Sequence, residues 1–199
     1  MNILDIFMAN DNPRFFNETC TFNTFVKFYH DFSNQEFGPW IAGGCGRQLS
    51  LGENDFNDVD VWFSSRAQYD YFRLKMQEHF GNNIYRVYDS ENAETWEGQG
   101  IKVQLIKKQF FSSVDAVFDY FDFTCCQVAV DRDGQVYGPG LLDARNRLLK
   151  VNRLDPDNFI IRYAKYVSYG YVMDNKEFLD ILENHKEINY DFDGTFTHY

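Results

Sequence analysis

The sequence lacks any apolar run approaching the roughly 20 uninterrupted residues that a membrane-spanning helix requires. Its opening residues, Met1 to Asn12, carry Asp5 and Asp11 where a secretory leader would have a basic segment and then an apolar stretch. Both absences lead to the expectation of a soluble, cytoplasmic protein with no membrane partner. Cysteine is scarce and poorly spaced: Cys20 and Cys45 stand alone and Cys125 and Cys126 are adjacent, so neither a zinc pair nor a disulfide framework is indicated. Reduced, mostly buried thiols are expected instead. His30, His79, His185 and His198 show no metal-ligand spacing. No Gly-x-Ser-x-Gly elbow, Gly-x-x-x-x-Gly-Lys-Ser loop, internal repeat or low-complexity tract occurs, which argues against serine-hydrolase, P-loop and repeat architectures.

Positive charge is also in short supply. With 19 Lys and Arg against 30 Asp and Glu, the formal charge of −11 repels a phosphate backbone over most of the surface and argues against a long nucleic-acid footprint. The run Arg145, Arg147, Lys150 and Arg153 is the best candidate for a local spot holding a triphosphate or a short RNA end, although a solvated face is the commoner explanation of such a run. Rings, by contrast, are plentiful: 21 Phe and 13 Tyr predict an aromatic core. A length of 199 residues suits one compact domain, or a catalytic domain with a short helical annex.

Apolar positions between Phe22 and Phe32 fall at helical spacing. Trp40-Ile41-Ala42 then reads as a strand entering the turn Gly43-Gly44-Cys45-Gly46, followed by a short helix near Arg47 to Leu51 and a polar loop to Asn57. Val59, Val61 and Phe63 alternate with Asp58, Asp60 and Trp62, the period-2 pattern of a strand with one acidic face. A helix over Arg66–Phe80, capped by Ser64 or Ser65, precedes strands at Ile84–Tyr88 and Ile101–Lys108, with Asp89 to Gly100 expected as loop. Further on, a helix over Val114–Tyr120, a strand over Phe123–Val130, a hairpin turn at Asp131–Gly134, and helices over Ala144–Leu149, Phe159–Val172 and Lys176–His185 are expected. The tail from Ile188 is acidic and aromatic. The implied division is a sheet domain over residues 1–140 and a helical segment with the tail over 141–199.

Two residues apart on one strand, Asp58 and Asp60 project from the same face with about 7 Å of backbone between them. Carboxylates that close need a cation or an exposed edge. An isolated Asp-x-Asp is most often a surface strand. The upstream Gly43-Gly44 changes the odds, because a glycine turn exposes backbone N–H groups able to cradle phosphate oxygens. Mg²⁺ is commonly held by one or two carboxylates together with substrate phosphates, so the combination suits a metal–nucleotide site. Cys45 has no identifiable base partner and reads as a small turn residue. Tyr163, Tyr166, Tyr169 and Tyr171 form a helical aromatic stripe, for which core packing is a more frequent explanation than base stacking.

Gly43-Gly44-Cys45-Gly46-Arg47 followed by Asp58-Val59-Asp60-Val61 resembles the Gly-Gly-x-x-Arg…Asp-x-Asp signature of the polymerase-beta-like nucleotidyltransferases. The branch it most resembles contains CCA-adding tRNA nucleotidyltransferases and bacterial poly(A) polymerases. Asp122-Phe123-Thr124, then Ala129, Asp131 and Gly134, resembles that branch's second motif, and Asp143, Arg147 and the helix containing Arg162 resemble the segment leading to its nucleotide-facing helices. The likeness spans about Trp40 to Gly170. It implies an α+β fold, a palm of mixed sheet flanked by helices with a short C-terminal helical segment, and transfer of a nucleoside monophosphate from an NTP to an acceptor hydroxyl. By the same likeness Asp58 and Asp60 hold Mg²⁺ or Mn²⁺, Gly43 and Gly44 seat the triphosphate, Arg47 supports the phosphates or the turn, and Asp122 and Thr124 shape the nucleotide site. Arg162 and Lys165, on one helix, face phosphates or solvent.

The pattern also departs from the family. Tyr120, Phe121 and Cys126 replace the arginines and asparagine that flank the second motif, and Asp155-Pro156-Asp157-Asn158-Phe159 lacks the element that pairs with incoming CTP and ATP. Templated CCA addition is therefore disfavoured. Gln104 stands where many members place a third carboxylate. Acceptors left open are an RNA or tRNA 3′ end, a protein or a small molecule, and the small size suits a phage-type member. The rivals are an RNA 3′-end repair enzyme and a module that keeps the fold and binds nucleotide or protein without chemistry.

Overall fold

The computed structural model describes residues 13–34, 36–53, 58–98, 100–185 and 188. Met1–Asn12 and the tail beyond Ile188 therefore lie outside the described residues, as do parts of the polar loop before Asp58. Helix α1 (Pro13–Phe32) begins on a proline, whose missing N–H costs nothing in a first turn. Its later turns bury Phe22, Phe25, Val26, Phe28 and Tyr29. The segment expected from Phe22 is thus the C-terminal part of a longer helix.

Among the described residues the sheet has seven strands: β1 (Trp40–Ala42), β2 (Val59–Trp62), β3 (Tyr85–Asp89), β4 (Ala93–Gly98), β5 (Ile101–Ile106), β6 (Ala129–Val130) and β7 (Val136–Tyr137). Their order is β3-β4-β5-β2-β1-β6-β7. Strands β2 and β5 run parallel, and the other neighbours are antiparallel. The connecting helices are α2 (Gly44–Ser50), α3 (Arg66–Phe80), α4 (Val114–Tyr120), α5 (Leu141–Arg145), α6 (Phe159–Ser168) and α7 (Asn175–Asn184). This is the mixed, helix-flanked α+β sheet that the sequence implies. Among the described residues, no helix is long and apolar enough to cross a membrane.

Alternation along β2 fixes the register. Val59, Val61 and Phe63 are fully buried beneath α1 and α3, against Phe25, Phe28, Phe72 and Met76. Burying each valine contributes about 1.5–3 kcal/mol, and a one-residue slip would place Asp58 and Asp60 in that ring-lined core instead. Edge-on ring contacts such as Phe28–Phe72 at 5.2 Å and Phe28–Phe80 at 5.4 Å lock α1 against α3. The opposite face of the sheet carries Trp40 and Trp62 with Phe111 and Phe118 of the segment around α4. A third cluster, including Phe123, Leu149, Phe159, Tyr166, Tyr171 and Met173, joins α5, α6 and α7. Helices α3 and α4 have the expected bounds, and both are capped by serine: Ser65 accepts from Gln68 N–H and Ser113 from Ala116 N–H.

The structure corrects four local expectations. Ala93–Gly98 is a strand between β3 and β5, not loop. Its charges hid it, because Glu94 is buried and answered by Arg73 at 2.8 Å, Arg86 at 3.1 Å and the Trp96 indole N–H at 3.2 Å. Phe123–Val130 is broken by a 3-10 turn over Thr124–Cys126, leaving two residues of strand. The helix expected over Ala144–Leu149 instead runs Leu141–Arg145 and stops where Arg147 takes a left-handed φ of 53°. The helix expected to Val172 stops at Ser168, since Gly170 reverses the chain and Val172 returns to pair with Leu148.

Candidate active site

The turn from β1 into α2 brings backbone and carboxylate together. Gly43 has φ 103° and ψ −129°, a conformation that side chains rarely adopt. Its N–H donates to Val128 O at 2.9 Å and its carbonyl accepts from Arg47 N–H at 2.9 Å, which starts α2. A Cβ on Gly43 would lie 3.2 Å from the Phe121 ring and 3.7 Å from Asp60 Oδ2. The carboxyl of Asp60 therefore sits directly over the turn. At Gly44 a Cβ would meet nothing within 4 Å, so the chain there borders open space, and the first-turn N–H groups of α2 have no partner within the helix.

Strands β2 and β5 place the polar side chains. Asp60 pairs in register with Gln104, and the Gln104 amide Nε2 donates to Asp58 Oδ2 at 2.9 Å. The Asp60 carboxyl is pushed up to about 8, by burial first and by the charge of Asp58 second, while Lys165 and Arg162 oppose the shift. Lys165 is shifted down by its own burial and by Arg162, against the pull of Asp58 and Asp60. The Asp60 carboxyl thus lies against the glycine turn, within electrostatic reach of Asp58 and Lys165. The Cys45 thiol is driven up by burial and then by Asp60 and Asp58, the opposite of the shift that activates a thiol.

Other expected site residues lie around this centre. Arg162 is bound bidentately by Asp122, with Nη2–Oδ1 at 2.9 Å and a second, shorter contact from Nε to Oδ2. Thr124 donates to Asp143 Oδ2 at 2.7 Å, where Lys150 Nζ also donates to Oδ1 at 2.7 Å. Arg47 is 5% exposed, its guanidinium lying over the rings of Tyr166, Tyr169 and Tyr171 at 5.5, 5.4 and 5.3 Å. It holds α2 against α6 from behind the turn. Most of the tyrosine stripe packs inward: Tyr171 is buried, Tyr166 is buried and bonded to Cys126 Sγ at 2.7 Å, and Tyr163 stacks on Phe178 at 4.5 Å, while Tyr169 stays exposed. The basic run does not converge, because Arg147 pairs with Glu53 at 2.6 Å, Lys150 with Asp143, and Arg153 lies 4.3 Å over Tyr120. Cys45, Cys125 and Cys126 are free and buried. Phe121, whose ring walls Gly43, showed in the sequence only as a departure from the family's second motif.

Among the described residues, no group of three or more His, Cys, Asp or Glu side chains is placed to hold a metal ion. The donor set is two hard carboxylates, one of them pushed up to about 8 by burial first and by its neighbour second. Such a pair fits a Mg²⁺ or Mn²⁺ whose shell is completed by phosphate and water, and does not fit an all-protein cage.

The same fold occurs in CCA-adding enzymes. The structure of such an enzyme with ATP superposes with a TM-score of 0.69 at 15% identity, covering 96% of this chain and 46% of that one. A complex with CTP gives 0.68 at 13% identity over 94% of this chain and 47% of that one, and the Bacillus stearothermophilus CCA-adding enzyme with CTP gives 0.57 at 17% over 83% and 44%. The chain has the nucleotidyltransferase fold. A family model described as Gabija anti-defense 2 family protein matches residues 15–147, and the chain belongs to that family. Gabija anti-defense 2 of Bacillus phage SPbetaL7 is 29% identical over 147 residues, 71% of this chain and 36% of the relative. The chain therefore spans about a third of that relative and just under half of the solved enzymes.

Proposed function

We propose that this protein is a divalent-metal-dependent nucleotidyltransferase of phage type, acting in the host cytoplasm. The observation that carries the reading is the 3.7 Å approach of Asp60 Oδ2 to the position of a Gly43 Cβ, which sets one carboxylate of the pair against the glycine turn. The NTP tail lies along the turn, where the open side of Gly44 leaves room for phosphate and the α2 N–H groups donate to it. Asp58 and Asp60 hold Mg²⁺ or Mn²⁺, which when bound neutralises the phosphates and the departing pyrophosphate. Lys165, with Arg162 behind it, adds positive charge beside the phosphates. The acceptor hydroxyl oxygen bonds to the α-phosphorus, the bond from that phosphorus to pyrophosphate breaks, and the hydroxyl proton goes to water.

The relative's name describes anti-defence against Gabija, and we carry that context to this chain: the acceptor belongs to the bacterial defence. Labelled NTPs incubated with protein, RNA and small-molecule fractions of Gabija-bearing cells test this. Label should enter one fraction with pyrophosphate release that needs Mg²⁺ or Mn²⁺, and Asp60→Ala should abolish it while remaining folded. Undiminished turnover by Asp60→Ala would falsify the mechanism. The hydrogen bond from Gln104 to Asp58 favours a second reading, a module that binds nucleotide and transfers nothing. Saturable NTP binding without pyrophosphate release would select it.

A further inference from the structure

The carboxylate pair shares its sheet face with a third polar side chain that limits what the site can hold. Gln104 lies opposite Asp60 in the parallel ladder of β2 and β5, so it leaves the sheet on the same side as both aspartates. Its Nε2 donates to Asp58 Oδ2 at 2.9 Å, so this end of the amide presents a hydrogen, not a ligand oxygen, and it uses one lone-pair direction of Asp58. Where two catalytic ions act together they sit roughly 3.5–4 Å apart and clamp both reacting oxygens, which demands bridging anionic ligands.

The charges around the pair point the same way. Once Asp60 gives up its proton to a cation, Asp58 and Asp60 supply two negative charges, which one divalent ion balances. Asp122, the next carboxylate, is already bound bidentately by Arg162. Among the described residues no third acidic side chain joins the pair to receive a second divalent ion.

We propose that Gln104 restricts this site to a single divalent cation, completed by the nucleotide triphosphate, by holding Asp58 with an amide donor where a carboxylate would recruit a second ion. The inference rests on the metal–nucleotide reading above and deepens it. Gln104→Glu keeps the side-chain length and replaces the donor with a third carboxylate on the same face. Gln104→Asp provides a shorter second variant.

The test is a Mn²⁺ titration of the full chain with a non-hydrolysable NTP analogue, followed by electron paramagnetic resonance, with circular dichroism to verify folding. Wild type should bind one Mn²⁺ per chain, and at least one carboxylate variant should bind two. The variant that gains the ion should also melt lower than wild type in EDTA and recover on adding Mn²⁺. Two ions on wild type, or one ion on both folded variants, overturns the role of Gln104 and leaves the metal–nucleotide reading standing. No bound Mn²⁺ on any form removes both. Should neither variant fold, the wild-type count decides, one ion supporting the proposal and two overturning it.

Discussion

Replacing Asp60 with asparagine should make the metal-free protein more stable. Asp60 has its proton affinity raised from an ordinary 3.8 to about 8, chiefly by burial and next by Asp58. Between those values the folded chain holds a proton that the unfolded chain has released, so stability falls as pH rises from about 4 to about 8. Below that window the carboxyl is protonated in both states and contributes nothing; above it the full deficit is present. At about 1.4 kcal/mol per pH unit, the deficit at neutral pH is bounded by roughly 4 kcal/mol and is on the order of 2 kcal/mol once the partial exposure of the carboxyl is allowed for. Asparagine keeps the shape and removes the charge. In a chain of this size each kcal/mol moves Tm by about 2–4 °C, so Asp60→Asn should melt roughly 4–8 °C above wild type in EDTA at neutral pH. The gap should close toward pH 4, and Mg²⁺ with an NTP analogue should raise wild type but not the variant. Thermal melts across pH, with and without metal, decide the matter. An asparagine variant that melts at or below wild type at neutral pH in EDTA would refute the account of a carboxylate pair strained in the absence of a cation.

Gly44→Ala should separate stability from binding: alanine in a helical first turn contributes about 0.5–1 kcal/mol relative to glycine, yet the new methyl enters the open space assigned to phosphate. Melting should rise by a few degrees while NTP affinity, measured by calorimetry, falls at least tenfold; unchanged affinity would move the triphosphate elsewhere. Arg47→Lys should lower stability by about 1–3 kcal/mol, because a compact ammonium cannot stack on three tyrosine rings as a planar guanidinium does. A denaturant titration checks it, and a neutral result would mean that the ring box does not hold α2.

The centre of the site was legible in the sequence because local pattern and chemistry coincide there. Period-2 alternation put Asp58 and Asp60 on the face away from the valines, and glycine spacing marked the turn where a side chain would be strained by φ and pressed against Phe121. What escaped depends on partners distant in the chain. Strand β4 was hidden because Glu94 looks like a loop residue until Arg73 and Arg86 are brought to it. Thr124 and Arg47 carry the family pattern, but Asp143 claims the first and three tyrosines enclose the second, contacts that span 19 residues in one case and more than a hundred in the other. The bond from Gln104 to Asp58 crosses 46 residues and needs the parallel register to exist.

The contrast among the acidic groups gives the strongest internal argument for a ligand-completed site. Glu94, Asp122 and Asp143 are each met by an arginine or lysine within ion-pair distance, the arrangement that makes burying a carboxylate tolerable. Asp60 feels Lys165 and Arg162 only at longer range, and Asp58 beside it works against it. A fold able to place cations against three other carboxylates had the means to place one here. Burying Asp60 against a turn where Gly43 holds a conformation that side chains rarely adopt costs stability. That cost is offset if a divalent cation and a triphosphate arrive together, because the ion then meets both the carboxylates and the phosphates at one point.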